Sequence, residues 1–396
     1  MIHSLSLGLL LVQAPQIDSL RLPEATAFAR AHRGSVAAAS AAVDEARAGL
    51  SIRRGLPNPT ASYARTTDTP RQSVAIQQSF DWLLSRGGSV GAGHAALARA
   101  RADLEGASRD LTREVHTAFV GALAAREARR LAEAQLAVAD TLGHIAARRL
   151  SAGDIPEAEF DRLRLERILA AQTLSRARAE EMHSSLVLAR TLGWPGESNL
   201  PPLAGSLADG LDRPPPSPPP LADLPSIRGA MADSAAAASE ASSASWARLP
   251  LPTLELGRQW DDPSAPGARL WTFGASIPIP IFNHGGGTAA VAQARARIAA
   301  ADLLEARLGA RQQLGDAAVQ LDEARLRARL ASDSLLPGAA RLRTRAARAY
   351  ALGETGALPL LEALRTEREI VAGALNDLLD YQEALADWNS LTGSTE

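Results

Sequence analysis

The sequence predicts a mainly helical fold with a small β part, in which long coiled helical hairpins accompany four short strands. Three observations predict it. First, the chain repeats itself at a shift of about 200 residues, and a repeat settles the architecture before any local reading does. Leu56-Pro57-Asn58-Pro59-Thr60 returns as Leu249-Pro250-Leu251-Pro252-Thr253, and Ala102-Asp103-Leu104 returns as Ala301-Asp302-Leu303. Gly153-Asp154 returns as Gly353-Glu354, and Gly193 as Gly393. Second, hydrophobic residues make up 46% of the chain but aromatics only 4%, so the apolar content is mostly Ala and Leu. Both favour helix, and small Ala lets helices approach closely. Third, each copy holds two short alternating segments between its helices, the period of a half-buried strand.

The elements follow in order. A first helix is expected from roughly Pro23 to Arg54, stopped by Gly55, Pro57 and Pro59. A hairpin follows, turning at Asp68-Thr69-Pro70. In its second strand Val74, Ile76, Phe80 and Trp82 share one face, while Ser73, Ala75, Gln77, Ser79 and Asp81 share the other. From Gly87 to Leu150 no Pro intervenes, which predicts a helix roughly 95 Å long. Such a helix must coil against neighbours. Ser151-Ala152-Gly153-Asp154 breaks it, with Gly153 suited to a left-handed cap, and a return helix runs to about Leu192.

Residues 195–223 read as a Pro-rich linker, whose run Pro214-Pro215-Pro216-Ser217-Pro218-Pro219-Pro220 is extended and cannot be helical. The second copy then repeats the plan. A helix is expected from Leu224 to Trp246, then strands over Thr253–Trp260 and Arg269–Ile279. Trp271, Phe273, Ala275, Ile277 and Ile279 share one face of the last strand, and Thr272, Gly274 and Ser276 the other. Asn283 to Gly287 turns the chain into a second long helix ending near Leu352, with a kink expected at Pro337. A final helix spans about Pro359 to Leu391. The domain division is therefore 1–14 as a signal segment, 15–194 as the first repeat, 195–223 as linker and 224–396 as the second repeat.

Composition narrows the function class. The formal net charge is -2, so bulk charge offers nothing to nucleic acid. There is no Cys, which removes disulfides, thiolate catalysis, Cys metal sites and an N-terminal lipid-anchored Cys. The seven His are scattered without metal-ligand spacing, so no metal site and no cofactor is expected. The short apolar run Leu5 to Val12, ending in Val12-Gln13-Ala14, reads as a secretory signal, although Lys and Arg are missing before it. No run approaches the ~20 apolar residues of a spanning helix. If the chain crosses a membrane, it does so with strands.

A strand with one apolar, aromatic-tipped face and one small polar face fits a membrane barrel, with lipid outside and water inside. Tyr63, Phe80, Trp82, Trp260, Trp271 and Phe273 bring the scarce aromatics near the strands, as interfacial girdles would. A half-buried soluble sheet is the other reading. Open sheet edges are not allowed in lipid, so inserted strands require several chains to share one barrel. Two chains would give eight strands and little lumen, and three would give twelve.

Two apparent hydrolase motifs are set aside. Gly87-Gly88-Ser89-Val90-Gly91 has the G-x-S-x-G form, and His284-Gly285-Gly286-Gly287 resembles an oxyanion loop. They are repeat copies of one another, with Ser89 aligned to Thr288, and they occur in the wrong order for a nucleophile elbow. A glycine hinge between strands and long helix is expected at both, and no enzyme activity.

The segment Gly274-Ala275-Ser276-Ile277-Pro278-Ile279-Pro280-Ile281-Phe282-Asn283, with the Gly-rich turn after it, resembles the last strand and strand exit of the heavy-metal-efflux branch of the TolC-type outer-membrane efflux family. Gln78-Ser79-Phe80-Asp81-Trp82 is its counterpart in the first half, and the turns at Gly153 and Gly353 are similar to the family's periplasmic tips. The resemblance covers nearly the whole chain after the signal. It implies a homotrimer with a twelve-stranded pore in outer-membrane lipid and a helical tunnel in the periplasm of a Gram-negative-type bacterium. The implied partners are a periplasmic adaptor and an inner-membrane pump. The implied function is passive, an exit duct for small solutes or metal ions. A periplasmic coiled-coil adaptor or scaffold, or a duct for type I protein secretion, is the alternative. Helix lengths agree with a uniform tunnel, because the first and return helices together are about as long as the long helix.

The resemblance also places the candidate sites. Arg149, Leu150, Ser151, Gly153 and Asp154 in one tip, and Tyr350, Leu352, Gly353 and Glu354 in the other, would meet the adaptor. Glu159 and Glu362 fall about where acidic residues line the closed aperture, while Pro359 stands where the family carries another acid. A carboxylate ring at a constriction would favour cations. An ordinary helical corner and a solvated helix face are the competing readings.

Overall fold

The computed structural model describes residues 19–196 and 200–393. The expected signal segment lies outside the described residues. Eight α-helices and four strands follow the doubled order read from the sequence. Helix α1 is Leu22–His32, α2 Gly34–Arg54, α3 Trp82–Ser151 and α4 Glu157–Leu192. The second copy gives α5 Pro225–Trp246, α6 Gly286–Leu330, α7 Leu336–Ala351 and α8 Ala357–Thr392. The strands are β1 Thr60–Arg65, β2 Gln72–Ser79, β3 Thr253–Trp260 and β4 Leu270–Ser276. The 70 residues of α3 make a helix about 105 Å long.

Three expectations are corrected. The first helix is two helices, because Arg33 leaves helical geometry (φ -84°, ψ 127°) just before Gly34. Its guanidinium pairs with Glu114 at 3.5 Å, a partner 81 positions away that local sequence does not reveal. The kink expected at Pro337 is a π-helical turn over Ala331–Leu335, immediately before it. A widened turn removes the clash between the proline ring and the carbonyl four residues back. Finally, Gly87, Gly88 and Gly91 are no hinge, since all three lie inside α3. A Cβ on Gly88 would come within 2.5 Å of the Ser239 carbonyl and one on Gly91 within 2.9 Å of the Ser239 hydroxyl, so these glycines let α5 lie close against α3.

The described residues form two compact units. One combines the described residues of 19–36, 108–218 and 313–393, and its core is helical. Leu111, Val115, Phe119 and Leu123 of α3 pack with Leu188 and Leu192 of α4, Leu321 and Ala328 of α6, and Tyr381 and Trp388 of α8. Leu207 and Leu211, from the Pro-rich segment, are buried in the same cluster. Polar contacts fix that segment. Gln382 donates to the carbonyls of Leu207 and Asp209 at 2.9 and 2.8 Å, and Arg325 donates to that of Leu211 at 2.8 Å. The Trp388 indole donates to the Pro216 carbonyl at 3.0 Å. The run is extended, as its prolines dictate, yet it is a docked strap.

The other unit combines 37–107 and 219–312. Val43 and Leu50 of α2 pack on Leu97 of α3, and Arg99–Asp233 and Arg228–Glu105 ion pairs join α3 to α5. Its four strands form one antiparallel sheet in the order β1-β2-β3-β4.

Candidate functional site

The register sorts the sheet into two unlike faces. Tyr63, Val74, Arg258 and Trp271 stand in one cross-strand row, and Ala61, Ile76, Leu256 and Phe273 in the next. These rows share one face because cross-strand partners point to the same side. They are apolar except for Arg258, whose guanidinium lies 5.3 Å from the centre of the Trp271 ring. Phe273 is 82% exposed, Trp271 59% and Ile76 51%. Apart from Arg258 over Trp271, no described residue is seated on this face. The opposite face carries Ser62, Ala75, Gly257 and Thr272 in one row, and Thr60, Gln77, Glu255 and Gly274 in the next. Gln77 donates to Glu255 at 2.7 Å.

The sheet's outer strands, β1 and β4, each pair on one side only among the described residues. Strands of six to eight residues span roughly 20–27 Å, comparable to the apolar band of an outer-membrane barrel. Of the expected aromatics, Tyr63, Trp260 and Trp271 fall toward the turn end of this sheet and Phe80 and Trp82 beyond its other end, while Phe273 is mid-strand. Trp260, at the turn end, donates through its indole to Gln72 at 3.1 Å. Phe80 and Trp82 follow the other end of β2, where the Trp82 indole donates to the Ser79 carbonyl at 2.9 Å and Arg86 lies 5.5 Å from its ring. Ser89 is inside α3, not on a strand-to-helix elbow.

The second region is a pair of matched helical turns in the helical unit. Gly153 takes φ +78° and Gly353 φ +77°. Gly153 donates to the Leu150 carbonyl at 3.0 Å and Asp154 to Arg149 at 2.9 Å. Gly353 repeats this with Tyr350 at 3.0 Å, and Glu354 with Ala349 at 3.0 Å. This double closure is the Schellman ending, which satisfies the last helical carbonyls. It leaves Ser151, Gly153, Asp154, Leu352, Gly353 and Glu354 exposed.

Arg149 and Tyr350 are placed differently. Tyr350 is fully buried with Leu142, Ile155, Leu163 and Leu360, and burial raises its phenol above the ordinary value. The Arg149 guanidinium covers its ring at 5.1 Å and donates to its carbonyl at 3.4 Å. These two residues, with half-buried Leu150, support the turns from beneath.

Of the two candidate aperture acids, Glu159 accepts from the Ala357 amide at 3.1 Å, which caps α8 from the other hairpin. Glu362 is exposed on α8. Deeper along the same helices, Glu367 is buried beside Arg343 at 3.3 Å, and Arg368 pairs with Glu166. Burial raises the Glu367 carboxyl above the usual carboxylate range, against the pull of Arg343 and Arg368. Sequence reading passed over Glu255, Gln382 and Arg325. The first had a signal, a lone carboxylate between Leu254 and Leu256 of an alternating strand.

No helix among the described residues is long and apolar enough to cross a membrane, which says nothing about strands. Among the described residues no cluster of His, Asp and Glu could hold a metal ion.

Comparison with known proteins gives consistent findings. Residues 221–394 match the family model for the outer membrane efflux protein. The cobalt-zinc-cadmium resistance protein CzcC of Cupriavidus metallidurans is 25% identical over 357 residues, spanning 88% of this chain and 84% of that protein. Among solved structures, CusC, described for its folding and transmembrane channel formation, superposes with a TM-score of 0.78 at 16% identity, over 94% of this chain and 92% of that one. The outer membrane protein VceC of Vibrio cholerae gives 0.75 at 17% identity, over 95% and 97%. The open MtrE outer membrane channel of Neisseria gonorrhoeae gives 0.70 at 20% identity, over 94% and 89%.

Proposed function

We infer that the protein is an outer-membrane exit duct, because residues 221–394 match the family model for the outer membrane efflux protein and the fold of the solved channels extends over nearly the whole chain. It serves a tripartite efflux system, passively passing small solutes, metal ions among them, received from an inner-membrane pump through a periplasmic adaptor. The observation that carries this reading is the sheet. Its apolar face is uncovered, its other face is polar, and both of its edges are open. Lipid satisfies the first face and a water-filled lumen the second. The edges close only when β1 of one chain pairs with β4 of the next. Three chains give twelve strands, enough for a lumen.

The helices then form the tunnel on the periplasmic side, and the two-repeat division (15–194 and 224–396, joined by 195–223) supplies each chain's paired hairpins. The exposed rims at Ser151–Asp154 and Leu352–Glu354 dock the adaptor, with Arg149, Leu150 and Tyr350 stiffening them. Tyr63, Phe80, Trp82, Trp260 and Trp271 lie toward the lipid interfaces, and Phe273 lies nearer the middle of the apolar band. Glu362, and less directly the capping Glu159, face the aperture. Glu362→Ala is therefore expected to lower the cation preference of the reconstituted pore, read from reversal potentials in a salt gradient. An unchanged potential would remove Glu362 from the aperture.

The test of the whole reading is location and mass. The chain, expressed in cells, should fractionate with the outer membrane and leave detergent extraction as a trimeric particle. A soluble periplasmic monomer would show that the apolar face does not meet lipid, and the duct reading would fall.

A further inference from the structure

The polar face of the sheet carries one ionisable side chain. Along β1 to β4 that face presents Thr60, Ser62 and Ala64, then Ser73, Ala75, Gln77 and Ser79, then Thr253, Glu255, Gly257 and Gln259, then Leu270, Thr272, Gly274 and Ser276. All are neutral except Glu255. The turns at the sheet's far end do not offset it. Arg65, Arg71 and Arg269 there balance Asp68, Asp261 and Asp262.

Glu255 is also held in place. Gln77, its register neighbour on one side, donates to Oε2 at 2.7 Å. Its neighbour on the other side is Gly274, where a Cβ would come within 3.3 Å of the Glu255 Cβ and 3.9 Å of its carboxyl carbon. The side chain therefore extends over a glycine floor on β4, fixed at one end by an amide. Any side chain at position 274 would crowd it.

We propose that Glu255 sets the charge preference of the barrel lumen, making it favour cations over anions. The proposal rests on the barrel reading above and adds to it a residue that discriminates within the barrel, apart from the aperture acid Glu362. Each chain contributes one Glu255 at the same height, so the assembled lumen carries a ring of carboxylates on an otherwise neutral wall. A ring of this kind selects by attraction without tight coordination, which suits a path that must release its cargo. The selected class is small cationic solutes, hydrated divalent metal ions included.

The absence of cysteine makes the test free of background. Ser276→Cys places a thiol on the polar face, diagonal to Glu255 and roughly 7 Å from it. Phe273→Cys places one on the apolar face of the same strand. Intact cells expressing the full chain are treated with cationic or anionic methanethiosulfonate, which enters the lumen from outside whatever the state of the tunnel. Ser276→Cys should react and Phe273→Cys should be protected. The cationic reagent should be faster at Ser276→Cys, and adding Glu255→Gln should cut the cation-to-anion rate ratio about threefold or more, the effect of one charge at that distance in salt water. If Ser276→Cys is protected or Phe273→Cys reacts as fast, the faces are not lumen and lipid, and the barrel reading fails. If the faces behave as stated but the ratio stays the same with Glu255→Gln, the barrel stands and the role of Glu255 is overturned.

Discussion

At Gly353 the backbone sits at φ +77°, and a Cβ there would meet nothing within 4 Å. A side chain would be opposed by conformation alone, at about 1–2 kcal/mol. That is enough to distort one turn and too little to unfold α8. Gly353→Val is expected to leave trimers in the outer membrane at normal abundance while efflux falls, measured as cargo retained by cells. Gly356→Ala, at φ -75°, should be silent in both measurements. Normal efflux by Gly353→Val would separate the turn from docking.

Glu367 supplies a second test at this scale. Its carboxyl is raised by burial, so the folded state holds its proton more tightly than the unfolded chain does. Stability from this group is present below the unfolded value and is lost as pH rises through the folded one. Glu367→Gln is expected to melt higher than the parent at pH 7, with the gap closing toward pH 4. A gap that widens on acidification would reverse the assignment. His116 acts in the opposite direction, since burial lowers its imidazole and acid therefore weakens the helical core around it.

Among the elements, the presence of the strands and of the two tip turns was legible in the sequence, because period-two alternation and a glycine in a left-handed turn are local signatures. The last strand, however, read to Ile279, ends at Ser276, and Trp82, read on the β2 face, begins α3. The β3 boundaries, Thr253–Trp260, agree with those read from the pattern. What was not legible depends on distant partners. Gly34 beside Arg33 is only a weak sign of a break, and the partner that Arg33 finds, Glu114, is far away in sequence. The glycines at 87, 88 and 91 look like a hinge until Ser239 and Ser243 are seen against Gly88, and Ser239 against Gly91. The Pro-rich strap reads as a loose linker because its anchors are backbone carbonyls, which have no sequence signature. Arg325 reaches the carbonyls of Leu211 and Arg213, and Arg329 also donates to that of Leu211. Arg325→Ala is expected to cost about 2–3 kcal/mol, from lost charge-assisted hydrogen bonds. The strap should then be cut early in limited proteolysis between residues 200 and 220, and unchanged resistance would show that the strap is held by its leucines.

For the molecule as a whole, the sheet decides. A lysine in place of Phe273 would stand where the proposed barrel meets hydrocarbon, at about 2–4 kcal/mol if near the midplane. Because Phe273 is largely uncovered in the single chain, Phe273→Lys should leave the helical units folded, with normal helical circular dichroism. Recovery from the outer-membrane fraction should drop sharply. Full recovery would place Phe273 in water. The proposed aperture acid Glu362 and the proposed lumen acid Glu255 differ in how far one sequence can point to them. An acid beside a turn can be read from one chain, whereas a ring exists only when copies are arranged about an axis.

If three chains close the proposed barrel, the open edges of β1 and β4 have a genetic consequence. A wall whose staves come from separate copies is only as sound as its worst copy. When a gene for a strand-defective variant is expressed beside an equal dose of the normal one, random mixing of three leaves about one pore in eight wholly normal. A lesion in the sheet should therefore be dominant, sensitising cells that still make the intact protein. A lesion that merely unfolds the chain before it can mix should be recessive.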